Sequence, residues 1–358
     1  MDSPPQSPLE FYHACCEHVH TTPSPYMESA IVEQTPSLHL NGRLHTANDT
    51  AAVCIALSRL PGLTSLDLSG CPCDPVCCQA LSSSVTECYH LERVSLRCCN
   101  LGDNGVRLLV RSLLALPRLI TLDIACNSLT SEALREIASV YTRGNTQKSL
   151  PPLQSLSIEH NPIGTGGGAL LRAMATAVGT NLTSLHLAGC GLSDVGVAAM
   201  STMFSSNHCN VAYVELMDNN VADEGCIELA RTVQSACESG VSVRLRHLGL
   251  RHNRISATGA SPLVDACAGC GCQRLLLSGN AIGGSDITPL RDSIHNLLVA
   301  SRSSDNSLDC LDCLDLASCQ LTETDMSVLA TAFENLPVAV PASTCALERE
   351  GERDRERE

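Results

Sequence analysis

The sequence predicts an α/β solenoid in which one strand–turn–helix unit recurs nine times behind an atypical first unit. Three observations carry that prediction. The 358 residues exceed the roughly 250–300 at which a single core stops growing, so a one-piece chain needs a core that extends by repetition. Segments beginning at Leu63, Leu91, Leu119, Leu153, Leu182, Val211, Leu245, Cys272 and Leu311 all carry apolar residues at positions 0, 3, 5 and 10, as in LTSLDLSGCPC, LITLDIACNSL, LTSLHLAGCGL and LRHLGLRHNRI. Thirty-four of those thirty-six positions are Leu, Ile or Val, the exceptions being Cys73 and Cys272, and position 18 is also apolar in all nine segments.

Positions 3 and 5 have the period of a short strand with one buried face, and position 18 falls in stretches of helical spacing such as GVRLLVRSLLAL. Position 14 is glycine in five units (Gly105, Gly167, Gly196, Gly225, Gly259), which suits close packing at a helix start, and Asp103, Asp194 and Asp223 precede it as helix-capping or first-turn acids. Position 8 is Asn127, Asn161, Asn219, Asn253 or Asn280 in five units, and cysteine in four. A buried amide there serves backbone groups of adjacent turns that no ladder reaches, so these asparagines are structural rather than catalytic.

These segments resemble leucine-rich repeats, and their 27–29-residue spacing with helical second halves such as LSDVGVAAMSTM and VADEGCIELARTV is similar to the ribonuclease-inhibitor-like subfamily. The resemblance covers about residues 37–336. It implies a right-handed α/β horseshoe, a leucine-rich-repeat solenoid with a parallel sheet on the concave face and helices on the convex face. It also implies a cysteine-rich intracellular protein that binds other proteins. Fold alone does not set function, so the resemblance supports three roles: a non-enzymatic interaction scaffold, a regulator like the Ran GTPase-activating protein, or an inhibitor of a basic protein.

The expected domains are a flexible acidic, Pro-rich arm over 1–36, the solenoid with its degenerate N-terminal cap over 37–338, and a mixed-charge tail over 339–358. Within the arm, LEFYHACCEHV suits a short docked helix. The first thirty residues lack a signal peptide's basic start and apolar run, and no stretch has the roughly 18 apolar residues that span a bilayer, so the expectation is a soluble cytoplasmic chain. In a reducing compartment most of its 22 cysteines stay thiols.

A net charge of −15, no Trp and 2% aromatics argue against nucleic acid, whose phosphates need clustered cations and whose bases need stacking platforms. The only lysine, Lys148, follows Gln147 where a phosphate loop needs glycine. Gly164, Gly166, Gly167 and Gly168 sit in a turn between strand and helix, and neither a G-x-S-x-G nor an H-E-x-x-H motif occurs. The expectation is therefore no enzyme, no cofactor and no metal. Cys267, Cys270, Cys310 and Cys313 form two CxxC pairs like a zinc ribbon, but repeat register sends Cys313 to the concave face and Cys267 to a helix end, which strains a single tetrahedral site.

Alternation puts positions 2, 4 and 6 on the concave face. The candidate partner-binding residues are Glu159, His160, His186, Tyr213, Glu215, Asp218, His247, Arg251 and His252, with His186 and Glu215 expected side by side on neighbouring strands. A competing site is one rim of the horseshoe. Three long steps insert YTRGNTQKSLPP, QSACESGVSV and VASRSSDNSLDC, each expected after a helix and before the next strand.

Overall fold

The structure is a computed structural model that describes residues 7–142, 151–303 and 311–334. Each repeat contributes one three-residue strand: β1 Ser37–His39, β2 Ser65–Asp67, β3 Arg93–Ser95, β4 Thr121–Asp123, β5 Ser155–Ser157, β6 Ser184–His186, β7 Tyr213–Glu215, β8 His247–Gly249, β9 Arg274–Leu276 and β10 Cys313–Asp315. The ten pair in chain order as one parallel sheet, each strand in register with the same position of its neighbours. Parallel strands this short need their crossovers on one side, and the chain returns through a helix every time.

The helices are α1 Pro8–His18, α2 Pro25–Glu33, α3 Ala47–Ala56, α4 Pro75–Ser84, α5 Gly102–Leu114, α6 Ser131–Thr142, α7 Gly167–Ala175, α8 Ser193–Ser201, α9 Asp223–Glu238, α10 Ala257–Cys270, α11 Thr288–Ser303 and α12 Glu323–Ala330. From α3 onward each packs beside the next, forming the convex layer. The core lies between the layers: Leu63, Leu66, Leu68 and Leu81 of one repeat, and Leu182, Leu185, Leu187 and Met200 of another, are buried. The sheet ends at β10, whose outer edge has no neighbouring strand among the described residues, and Leu311, Leu314 and Leu316 there are only partly buried.

Residues 7–36 correct the expectation of a flexible arm. They form α1 and α2, with α1 packed on α3. Ser7 and Glu10 close a capping box, the Tyr12 hydroxyl accepts from Ser24 N–H at 2.9 Å, and Tyr12, Cys16 and Met27 are buried. Arg59 lies over the Phe11 ring, 4.5 Å from its centroid, and Arg43 over Tyr26 at 4.0 Å. Proline density misled: Pro8 and Pro25 stand in the first helical turn, where the missing N–H costs nothing. The mixed-charge tail lies outside the described residues.

The amides at position 8 link repeats into a continuous polar spine. Asn161 Oδ1 accepts from the N–H of Asn127 and Leu129 at 2.8 and 3.0 Å, and its Nδ2 donates to Ile158 and Ile124 carbonyls. Asn127 and Asn253 bond in the same way, Asn253 accepting from Asn219 and Val221 N–H. Asn219 accepts from Leu192 N–H and donates to the Leu187 carbonyl, and Asn280 accepts from Asn253 and Ile255 N–H. Where cysteine replaces asparagine, only the donor survives. Cys71, Cys99, Cys190 and Cys319 each point Sγ at a carbonyl of the preceding repeat, at 3.1–3.3 Å. The N–H groups of Cys73 and Gly164 in the adjoining turns then bond to the backbone carbonyls of Cys99 and Cys190.

Asp103, Asp194 and Asp223 cap the next repeat rather than their own. Asp103 accepts from Thr130 N–H, Asp194 from Ala222 and Gly225 N–H, and Asp223 from Ser256 and Gly259 N–H. This explains the glycine at position 14: a Cβ on Gly225 or Gly259 would stand 2.5 Å from the neighbouring carboxylate oxygen.

Candidate functional site

At the centre of the concave sheet, β6, β7 and β8 bring three rings into a row. The Tyr213 and His247 rings stack with centroids 4.1 Å apart and planes 10° from parallel, and His186 lies 4.9 Å beyond Tyr213 at 34°. All three occupy outward strand positions, so the row is a consequence of register. Glu215 is level with His186 in the sheet but does not pair with it. Its carboxylate turns the other way, over Gly249, and comes within 3.7 Å of His247 Nε2. Only glycine permits this, since a Cβ at 249 would stand 2.2 Å from Glu215 Oε1.

Both members of this pair are largely covered, with 13% and 12% of their side chains exposed, yet His247 Nε2 makes no hydrogen bond. The imidazole and carboxylate form a covered polar pair at the edge of the ring row. Burial pushes the Tyr213 phenol up, the Glu215 carboxylate adds to this, and Arg251 opposes it.

Two cross-repeat ion pairs flank the rings. Arg97 reaches Glu159, just past the end of β5, at 3.1 Å, passing Asp123 at 4.0 Å, and Arg251 reaches Asp315 at 3.7 Å. The Glu159 bond raises Arg97 above its ordinary value. Arg97 was absent from the sequence candidates, although its position 6 belongs to the same exposed column as Glu159 and Arg251.

His160, Asp218 and His252 do not project from the sheet. They sit at position 7 in left-handed turns just beyond it, with φ of 52°, 55° and 52°. His160 leans over Gly189 and His252 over Gly279, which separates them from the ring row.

Of the three rim insertions, one lies wholly within the described residues. Gln234–Cys237 and Glu238 of QSACESGVSV lengthen α9, so the insertion extends a helix before it forms a loop; the other two insertions fall mostly outside the described residues. Cys310 also lies outside them. Cys267 is buried at the end of α10, Cys270 is half-buried, and Cys313 is on β10. Among the described residues no group of three His, Cys, Asp or Glu side chains is arranged to hold a metal ion, and no helix is long and apolar enough to cross a membrane.

Comparison with known proteins agrees with this geometry. The family model described as "Leucine Rich repeat" matches residues 87–110, 149–171, 180–201, 207–230 and 244–264. Ribonuclease inhibitor of Sus scrofa is 27% identical over 234 residues, 65% of this chain and 49% of the relative. The chain is a leucine-rich-repeat protein of the ribonuclease-inhibitor-like type. The NACHT, LRR and PYD domains-containing protein 14 of Homo sapiens is 30% identical over 250 residues, 65% of this chain and 21% of the relative. A solved internalin from Listeria monocytogenes aligns over 90% of this chain and 92% of its own, with 15% identity and a TM-score of 0.38. This leucine-rich-repeat chain spans about half the length of the ribonuclease inhibitors it matches, and a smaller share of the NACHT-containing relatives.

Proposed function

We propose that this chain is a non-enzymatic protein-binding module that takes its partner on the concave sheet, with His186, Tyr213, Glu215 and His247 at the centre of the contact. The observation that carries this reading is the ring row with the covered His247–Glu215 pair at its edge. Rigid aromatic surface beside a desolvated polar group is the usual composition of an interface hot spot. The Arg97–Glu159 and Arg251–Asp315 pairs act as braces, because each spans three strands and holds charge away from the rings. The net charge of −15 favours a neutral or basic partner.

The test is capture of partners by the purified chain from a reducing lysate, followed by affinity measurement with the partner identified. Tyr213→Ala combined with Glu215→Arg should weaken binding at least ~100-fold while leaving the melting transition in place. Raising salt to about 0.5 M should weaken association further if charge steers it, because the screening length shrinks to a few ångströms. Unchanged affinity in the double variant, with loss on shortening the 239–243 turn, would move the contact to the rim.

A further inference from the structure

Cys98 and Cys126 are stacked neighbours on the rim of the concave face. β3 and β4 pair with Ser95 opposite Asp123, and the same step carries Cys98 opposite Cys126. Cys98 N–H donates to the Ala125 carbonyl at 3.0 Å, and the two cysteines have matching left-handed backbones with φ of 56° and 55°. Adjacent strands are about 4.8 Å apart. That spacing falls inside the roughly 4.4–6.8 Å Cα window of a disulfide.

Three further observations single out this pair. Cys98 is the one exposed cysteine among the described residues, and Cys126 is half-buried. Its sequence neighbour Cys99 faces the core, 1% exposed, with Sγ donating to the Leu68 carbonyl at 3.1 Å. His160, next in the same column after Cys126, leans away over Gly189, leaving the Cys126 thiol beside Cys98. Burial first, and the Cys98 thiol second, push the Cys126 thiol up, while Arg97 pulls it down.

We propose that Cys98 and Cys126 form a dithiol modification site that a hydroperoxide oxidises to a disulfide between the β3 and β4 repeats. The exposed Cys98 thiolate attacks one peroxide oxygen, the O–O bond breaks, and the products are a Cys98 sulfenic acid and an alcohol, or water from hydrogen peroxide. The Cys126 thiolate then attacks the Cys98 sulfur, the S–O bond breaks, and hydroxide leaves to be protonated as water. Two thiols lose two electrons and two protons, and one peroxide is reduced. The Cβ atoms must converge to about 3.8 Å, a movement that turn residues outside the strand ladder make more readily than residues within it. The new bond would tie the repeat that carries Arg97 to the one Arg97 crosses to reach Glu159.

The test uses the full chain, fully reduced and freed of reductant, treated in its native state with one equivalent of hydrogen peroxide. Remaining thiols are alkylated, and the chain is cleaved with trypsin for tandem mass spectrometry. Cleavage at Arg97, Arg107, Arg118 and Arg135 should release the 98–107 and 119–135 peptides joined, with backbone fragments between Cys98 and Cys99 assigning the bond to Cys98. In Cys126→Ser the sulfenic acid has no resolving partner, so dimedone labelling of Cys98 should rise at least ~10-fold over the unsubstituted chain. A bond from Cys98 to Cys99, bonds only between molecules, or peroxide consumption at buried cysteines ahead of Cys98 would each overturn the proposal. Peptide mapping of the unsubstituted chain decides the matter even if Cys126→Ser folds poorly.

Discussion

Replacing Asn161 by alanine removes one amide and disturbs two repeats at once. The N–H groups of Asn127 and Leu129 lose their shared acceptor, and neither site is open to water, because Asn127 and Asn161 are wholly buried and Leu129 is 1% exposed. The carbonyls lose less. Ile124 keeps a bond from Asn127 Nδ2, and Ile158 keeps one from Cys190 Sγ. The cost is therefore that of two orphaned donors at about 1–3 kcal/mol each, less whatever relaxation of the turn recovers, giving ~3 kcal/mol. At about 2.1 cal/mol/K of unfolding entropy per residue, that lowers the melting temperature of a 358-residue chain by only about 4 °C. Solenoids need not unfold in one step, so the decisive assay is native-state hydrogen exchange, which reads each amide. Exchange at Asn127 and Leu129 should accelerate far more than at the distant Leu277. Ser157→Ala, on the concave side of the neighbouring strand, is the control and should cost within ~0.5 kcal/mol. Equal effects from the two substitutions, or unchanged exchange at residues 127 and 129, would refute the account of the asparagine spine.

The strand alternation is tested by adjacent residues of β6. Leu185→Ala should cost roughly 2–5 kcal/mol in urea titration, whereas His186→Ala should be near neutral for stability, and similar losses in both would show the faces are misassigned. Alkaline pH should destabilise the chain. Burial pushes the Cys88 thiol up to about 11, and Cys99 and Cys190 up to about 12, from an ordinary value of 9.0. The unfolded chain therefore releases these protons first. Stability is intact below about pH 9 and falls as pH rises towards the folded values, so the urea midpoint should be lower near pH 10 than at pH 7. A midpoint that is flat or rising over that interval, measured with reductant present, would show that the thiols are not held protonated by the core.

Repetition determines some features of this molecule and packing determines others. Positions 0, 3, 5, 10 and 18 place strand, inward face and helix in every repeat because a solenoid is a nearest-neighbour structure. Each unit meets the same surroundings, so a local pattern suffices for Leu66, Leu122 and Leu185 alike. The asparagine positions were legible for the same reason, since an amide at one fixed place in the turn always meets the same two turns. Of the N-terminal helices α1 was legible, as the docked LEFYHACCEHV segment, whereas α2 was not, because it belongs to no repeat and its place depends on packing beside α1, where Tyr12 and Met27 are buried.

The candidate site divides along the same line. Sequence register alone puts His186, Tyr213, Glu215, His247 and Arg251 on the concave face, but not which of them touch. Glu215 has two neighbouring strands within reach and turns towards β8, because Gly249 leaves space there, and this sets it beside His247 rather than His186. Likewise Cys98 and Cys99 are adjacent in the chain yet point to opposite sides of the turn, while Cys98 and Cys126, twenty-eight residues apart, stand side by side. One residue's periodic position follows from its own repeat, whereas a side chain's partner depends on the room left by the next, and only the folded chain brings that residue within reach.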